Sequence, residues 1–179
     1  MEKVQLAGKD ITLCPYELKH VEPQVIAGRE SVAEISPWMS WCHDKYSAEE
    51  SRNWIESCMK EWEVGTAYQF AITDSREDSF LGGCGLNKIN EIDKVANLGY
   101  WVRNSRVKQG IATTATALLA QFGFRKLKLN RIEILVAIEN KASQGVAVKA
   151  GAMREGILRN RLLLHGKIHD AVMFSLIPK

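Results

Sequence analysis

The stretch Leu98–Phe122, LGYWVRNSRVKQGIATTATALLAQF, predicts a β-strand that passes through a short polar turn into an α-helix. Residues 98–103 alternate along the chain as the two faces of a strand do. Residues 104–109 form the turn, and from Gly110 onward apolar side chains recur at intervals near 3.6 residues, the period of a helix packed on one face. A strand that feeds a helix in this way belongs to a sheet with helices on its faces.

The turn carries residue types that bind phosphate. The first amides of a helix have no partner within the helix, and the helix dipole adds partial positive charge there. Gly110 lets a ligand approach the backbone, and Arg103, Arg106 and Lys108 add full charges nearby. The turn is therefore a candidate anion site, although many α/β proteins have a glycine at such a junction without binding an anion.

Composition and charge restrict the class of protein. The chain of 179 residues is long enough for one domain with a substantial core, residues 1–179, and its net charge of +3 gives no case for nucleic-acid binding. Its four cysteines form no CxxC pair and have no histidine at metal-ligand spacing, so we expect free thiols and no metal. We also expect no signal peptide and no membrane-spanning segment, and hence a cytoplasmic protein.

Periodicity and turn residues along the whole chain predict the order β-α-α-β-β-β-α-β-α-β-β. The segment SAEE at residues 47–50 predicts a capping box, with Ser47 as N-cap and Glu50 reaching back to it. The following helix carries an apolar stripe that includes Trp54 and Trp62, which we interpret as core packing. We predict an α/β (α+β) fold: a mixed, largely antiparallel twisted sheet of about seven strands, flanked by about four helices.

Before the capping box, two tryptophans lie in a segment without periodicity. This segment, ISPWMSWCHD at residues 35–44, contains Pro37 and predicts a loop. Trp38 and Trp41 would then cover or line something apolar; alternatively, the loop only seals the core.

The order of elements, with the phosphate turn after the fourth strand, resembles the GNAT superfamily of acetyl-CoA-dependent N-acetyltransferases. The family pattern at the turn is Gln/Arg-x-x-Gly-x-Gly/Ala, and VKQGIA at residues 107–112 occupies it. Val107 departs from the pattern where Gln or Arg is usual. Backbone amides hold the diphosphate in this family, so the departure affects side-chain contacts only.

Further stretches are similar to the branch that acetylates N-termini of ribosomal proteins, often called RimJ/RimL-like. They are PWMSW at residues 37–41, LGYW at 98–101, ENKAS at 139–143, KAGA at 149–152 and the closing GKIHD at 166–170. The resemblance covers nearly the whole chain. It implies transfer of the acetyl group of acetyl-CoA to a primary amine, most of all the N-terminal α-amine of a (ribosomal) protein, by direct attack in a ternary complex.

The resemblance also implies where acetyl-CoA would bind. Its pantetheine arm would lie beside the fourth strand, near a bulge at residues 101–103, and its diphosphate would lie on the amides of residues 108–113. The implied cofactor-binding residues are Trp101, Val102, Arg103, Lys108, Gln109, Gly110, Ile111, Ala112, Thr113 and Asn140.

For catalysis, the resemblance implies that Ser143 protonates the departing thiolate, directly or through water, and that Asn140 holds the pantetheine or a water. Asn and Ser at a helix start are equally explained as caps. Many relatives have a glutamate as general base where this chain has Asn97, which can only order a water. Because an α-amine has a pKa near 8, and a lysine amine one near 10.4, the missing base favours a weakly basic acceptor.

The acceptor itself stays open. Trp38, Trp41 and His43 are the implied substrate-binding residues, although exposure to solvent alone also explains His43. A small-molecule acetyltransferase acting on an antibiotic, a polyamine or an amino-acid analogue is the alternative, and a non-catalytic acyl-CoA sensor is a third. No metal, nucleic acid or membrane partner is expected, and a homodimer is what relatives often show.

Overall fold

The computed structural model describes residues 4–178, which form one eight-stranded sheet and five α-helices. The strands are β1 (Leu6–Ala7), β2 (Ile11–Pro15), β3 (Tyr68–Asp74), β4 (Phe80–Asn90), β5 (Val95–Val102), β6 (Arg131–Ala137), β7 (Met153–Leu164) and β8 (Lys167–Leu176). The helices are α1 (Val21–Glu30), α2 (Val32–Ile35), α3 (Ala48–Val64), α4 (Ile111–Arg125) and α5 (Lys141–Lys149).

The mixed, largely antiparallel sheet of the prediction is confirmed. Its strand order is β1-β2-β3-β4-β5-β6-β8-β7, and every neighbouring pair is antiparallel except β5–β6. The structure adds two short elements that the sequence analysis did not predict. They are β1, a two-residue edge strand, and α2, a single helical turn that leads into the tryptophan segment. Both are too short for a periodic pattern to reveal them.

The core lies on both faces of the sheet. The larger cluster packs between one face and α4, and it includes Phe70, Leu98 and Leu119. The second packs beneath α1 and α3, and it includes Ile55 and Trp101. Leu98 and Trp101 point to opposite faces because they lie three residues apart on one strand.

The pairing of β5 with β6 stops after three residues. Val95–Asn97 pairs with Arg131–Glu133, and the two strands then separate. β5 stays paired with β4 as far as Val102, and β6 stays paired with β8 as far as Ala137. A wedge therefore opens in the middle of the sheet, and along it one backbone edge of β5 has no strand partner.

The prediction of a bulge at residues 101–103 is wrong. From Asn97 to Val102, β5 pairs with β4 in continuous register. The irregularities lie elsewhere: β4 carries one between Asn87 and Asn90 and an extra residue, Leu81, opposite the step from Ile72 to Thr73, and the β7–β8 pair has others. The wedge needs no inserted residue, because β5 and β6 simply separate.

The predicted capping box fixes the start of α3. The Ser47 Oγ accepts a hydrogen bond from the Glu50 amide at 3.2 Å, and Glu50 Oε2 accepts one from the Ser47 amide at 2.9 Å. Gly65 ends the helix in the left-handed conformation. The box thereby positions the helix that forms one wall of the cavity described below.

We expect Ser47→Ala to lower the free energy of unfolding by about 1 kcal/mol, since it removes the N-cap acceptor. Chemical denaturation measures this loss. Ser57→Ala is the matched control, because Ser57 is exposed within α3 and donates only to the Trp54 carbonyl oxygen of its own helix. A Ser47→Ala variant as stable as wild type would contradict the assignment.

Candidate active site

The turn between β5 and α4 presents a row of unpaired amides. Gly110 is the N-cap of α4 in the left-handed conformation, at φ 79°, with no side-chain cap. The first amide hydrogen bond of the helix is from Thr114 to the Gly110 carbonyl oxygen, at 2.9 Å. The amides of residues 108–113 donate to no group within residues 4–178. Such a row binds an anion such as a diphosphate.

Glu30 at the end of α1 anchors the start of this turn. Its carboxylate accepts hydrogen bonds from the Arg103 guanidinium and from both the amide and the hydroxyl of Ser105. Hydrogen bonds from the Arg103 guanidinium, and smaller contributions from Ser105, together lower the pKa of Glu30 to about 2. The neighbouring Asn104 amide donates to the buried hydroxyl of Ser31 at 2.8 Å. The turn is therefore fastened to α1 before any ligand binds.

This clamp changes what can be expected of Arg103 as a cofactor-binding residue. Its side chain is held by Glu30 and by the Phe80 carbonyl oxygen, and its amide donates to the Leu81 carbonyl oxygen at 2.9 Å. Of the three positive charges that the sequence suggested for the anion site, that of Arg103 is thus paired with Glu30, and that of Arg106 lies 3.6 Å from the Glu77 carboxylate. Lys108, by contrast, is exposed in the turn and makes no ion pair within residues 4–178.

A cavity of about 340 Å³ lies beside β5, on the face covered by α1 and α3. Its floor is made by glycines: Gly85 of β4 and Gly99 of β5 are direct cross-strand partners, and Gly83 lies two residues before Gly85. A Cβ atom built on Gly99 would meet no atom within 4 Å, so it would point into open space. A Cβ atom on Gly83 or Gly85 would instead clash with the side chains of Tyr16 and Gln69, so these two glycines make room for neighbouring side chains, and it is Gly99 that leaves open space.

Aromatic rings form much of the cavity wall. Trp41, Tyr46, Trp54 and Trp101 all line it. The Trp41 ring lies 5.0 Å from that of Trp101 and 5.2 Å from that of Tyr46, both edge to face. Of the apolar stripe on α3, Trp54 therefore lines the cavity, whereas Trp62 packs in the core as predicted.

The cavity wall contains one charged residue. Glu50 lines it, together with the amide side chains of Gln24, Gln69 and Asn87. Hydrogen bonds from the Ser47 hydroxyl and amide lower the pKa of Glu50, so its carboxylate is ionised at neutral pH. A cavity with aromatic faces and a single carboxylate suits a cationic group.

Of the three predicted substrate-binding residues, the structure brings only Trp41 to the cavity. His43 lies one contact away, with its Nε2 3.0 Å from Glu50 Oε1. Trp38 is half-buried in the turn after α2 and is not part of the lining. Roles for Trp38 and His43 stay predictions.

The predicted catalytic residues fall into two places. Asn140 Oδ1 accepts a hydrogen bond from the Ser143 amide at 3.0 Å, so the capping alternative is confirmed for Asn140. The Ser143 hydroxyl is not a cap; its Oγ lies 3.0 Å from the Tyr100 hydroxyl oxygen across the wedge. Asn97 donates to Asn87 at 3.0 Å and is not in the cavity lining.

Sequence reasoning missed the glycine floor, Glu50 as a wall residue and Tyr100 as a partner of Ser143. A signal existed for the floor, because Gly83 and Gly85 alternate on one strand and so leave one face of it bare. Nothing in the sequence paired Tyr100 with Ser143, since the two residues lie 43 positions apart.

Within residues 4–178, no cluster of three or more His, Cys, Asp or Glu side chains is arranged to hold a metal ion. Nor is any helix of this part of the chain long and apolar enough to cross a membrane. The polar chemistry of the site consists of amides, hydroxyls and one carboxylate.

One family model matches most of the chain. The model of the acetyltransferase (GNAT) domain matches residues 10–153. The chain belongs to the GNAT acetyltransferase family. It is an acetyl-CoA-dependent N-acetyltransferase, and acetyl-CoA is its cosubstrate.

Several relatives of the chain are named as acetyltransferases of ribosomal proteins. The chain is 27% identical over 182 residues to "Putative ribosomal N-acetyltransferase YdaF" of Bacillus subtilis, covering 96% of this chain and 93% of the relative. It is 28% identical over 160 residues to the ribosomal-protein-serine acetyltransferase of Escherichia coli, covering 88% and 87%. The structure matches RimL, a ribosomal alpha-N-protein acetyltransferase solved in complex with coenzyme A, with a TM-score of 0.89. That match covers 97% of this chain and 98% of the other at 24% identity, and it concerns the fold.

We expect Gly110→Ala to weaken coenzyme A binding about tenfold, because a methyl group at the mouth of the amide row would stand where the diphosphate approaches. Gly151→Ala is the matched control. Both glycines have positive φ, 79° and 90°, and a Cβ on either meets no atom within 4 Å. Each variant should lose about 1 kcal/mol of stability through backbone strain.

Calorimetry with coenzyme A separates the two effects. Equal dissociation constants for the Gly110→Ala and Gly151→Ala variants would mean that the diphosphate does not bind at the start of α4.

Proposed function

We propose that residues 1–179 act as one acetyltransferase domain that transfers the acetyl group of acetyl-CoA to the N-terminal α-amine of a protein, with a ribosomal protein as the favoured acceptor. Transfer is by direct attack in a ternary complex. The observation that carries this proposal is the glycine-floored cavity with its single carboxylate, lying beside the unpaired edge of β5. The names of the two ribosomal relatives support the class of acceptor.

The cosubstrate would use both unpaired backbone surfaces. Its diphosphate would accept hydrogen bonds from the amides of residues 108–113, and its pantetheine arm would pair with the free edge of β5 near its end at Val102 like an added strand, the Arg103 amide being already bound to the Leu81 carbonyl oxygen. The thioester would then point toward the wedge, where Ser143 lies. Holding the two reactants next to each other lowers the activation free energy by several kcal/mol.

Glu50 supports an amine acceptor that arrives as a cation. Its ionised carboxylate and the ring of Trp54 on the same wall attract an ammonium group. Attack on the thioester requires the neutral amine, and no group in the cavity wall is a strong base, because the carboxylate that lines it has a lowered pKa.

A sufficient fraction of the acceptor amine must therefore be neutral at the working pH without help from a base. At pH 7, roughly one α-amine in ten is neutral, against fewer than one lysine amine in a thousand. This difference favours an α-amine over a lysine side chain. A small amine such as a polyamine or an amino-acid analogue is the second candidate, because a cavity of about 340 Å³ would enclose it.

Ser143 would supply the proton that the departing thiolate needs. A thiol with a pKa near 8.5 is already a fair leaving group, so a weak acid is sufficient. The free cysteines at positions 14, 42, 58 and 84 fit a reducing compartment, and we propose a cytoplasmic location. The homodimer and the absence of a nucleic-acid partner stay predictions.

The test is an acceptor panel with detection of released coenzyme A thiol. It contains short peptides with a free α-amine, the same peptides N-acetylated and carrying one lysine, and polyamines. We expect turnover of the free α-amine peptides and little turnover of the blocked ones. Turnover of polyamines alone would support the small-molecule alternative, and tight acetyl-CoA binding without turnover of any amine would indicate a sensor.

Glu50→Gln, run on the same panel, tests the carboxylate. Gln preserves the capping box, so the variant removes charge and keeps the helix start. We expect the KM for the amine to rise roughly three- to fivefold with kcat little changed. Glu49→Gln is the matched control, since Glu49 is an exposed neighbour outside the cavity lining. Equal KM values for the two variants would remove Glu50 from acceptor binding.

A further inference from the structure

Tyr100 bridges the wedge between β5 and the first turn of α5. Its hydroxyl oxygen lies 2.9 Å from the Ser143 carbonyl oxygen and 3.0 Å from the Ser143 Oγ. Within residues 4–178 these are the side-chain hydrogen bonds that join β5 to α5. The ring belongs to the core packing around α4, so the position of the hydroxyl is fixed by the core.

The chemistry of the two partners allows two hydrogen arrangements. A carbonyl oxygen only accepts, and a phenol has one proton to donate. When Tyr100 donates to the Ser143 carbonyl oxygen, the Ser143 hydroxyl can donate back to Tyr100. When Tyr100 donates to the Ser143 Oγ instead, the Ser143 proton is free to point to another acceptor. The two arrangements differ only in the rotation of two hydroxyl groups.

We propose that Tyr100 is a positioning residue for acetyl transfer: it holds the Ser143 hydroxyl at the wedge and donates to its oxygen while Ser143 gives its proton to the departing thiolate. This inference rests on the acid role proposed above for Ser143. A donor to the Oγ stabilises the negative charge that develops there as the proton leaves.

The step balances without a strong base. The amine nitrogen forms a bond to the acetyl carbon, and the carbon–sulfur bond breaks with its electron pair going to sulfur. Sulfur takes the Ser143 proton, and Ser143 regains a proton from the acylated nitrogen, directly or through water. Both hydroxyl groups end the turnover as they began. This suits a cavity whose wall offers no strong base.

Burial of the Tyr100 phenol favours its protonated form, which is the form that donates a hydrogen bond. Desolvation raises the pKa of the Tyr100 phenol above its ordinary value, although the hydrogen bond with Ser143 opposes part of that rise. The phenol therefore keeps its proton throughout the pH range in which an amine is acetylated.

A double-mutant cycle tests the proposal. Tyr100→Phe, Ser143→Ala and the double variant are compared with wild type for kcat and for the KM of acetyl-CoA. We expect Tyr100→Phe to lower kcat about tenfold and to change the KM less than twofold. In the Ser143→Ala background, the same change should alter kcat less than twofold, because Tyr100 acts through the Ser143 hydroxyl.

Two further variants serve as controls for the cycle. Ser143→Thr keeps the hydroxyl, so the dependence on Tyr100 should persist in that background. Tyr68→Phe is the matched control, since its ring packs against Trp62 and Phe122 in the core, and we expect wild-type kcat. Melting temperatures identify any variant that loses the fold.

The outcomes separate this inference from the proposals beneath it. Additive losses from Tyr100→Phe and Ser143→Ala, or an unchanged kcat for Tyr100→Phe, would overturn the role of Tyr100 alone. An unchanged kcat for Ser143→Ala would overturn the acid role of Ser143 and the inference with it. In both cases, wild-type turnover on the acceptor panel would leave the proposed function intact.

Discussion

The structure depends on one interrupted strand pairing. β5 and β6 pair for three residues and then separate, although each remains bound to its other neighbour. An unpaired strand edge in the middle of a sheet is costly, because buried amides and carbonyl groups need hydrogen-bond partners. An extended ligand with its own amide groups satisfies that edge as a strand would. A wedge of this kind suits an extended cosubstrate that carries amide groups, which is the binding mode proposed above.

The charge of Arg103 in the phosphate turn anchors the turn to α1. Arg103 is bound to Glu30, which ties the turn to α1 and leaves the amides of residues 108–113 to face the ligand. Preorganised amides bind an anion without a conformational change when the ligand arrives. In the proposed binding mode the backbone would supply the contacts, so Val107 is compatible with it where the family pattern has Gln or Arg.

Local patterns predicted the parts that local physics determines. The strand predicted at residues 98–103, the capping box at Ser47 and the helix that begins after Gly110 each follow from neighbours in sequence, and the structure has all three, with the strand ending at Val102. What the sequence could not show are pairings between distant segments. Glu30 meets Arg103 across 73 positions, and Tyr100 meets Ser143 across 43. Such pairs follow from how the sheet and the helices pack, so no sequence period encodes them.

A crystal structure with bound coenzyme A tests the central claim most directly. We expect the pantetheine arm in the wedge, with its amides hydrogen-bonded to the β5 backbone, and the diphosphate within hydrogen-bond distance of the amides of residues 108–113. This expectation would be contradicted by β5 and β6 paired along their whole length, or by coenzyme A bound away from the start of α4.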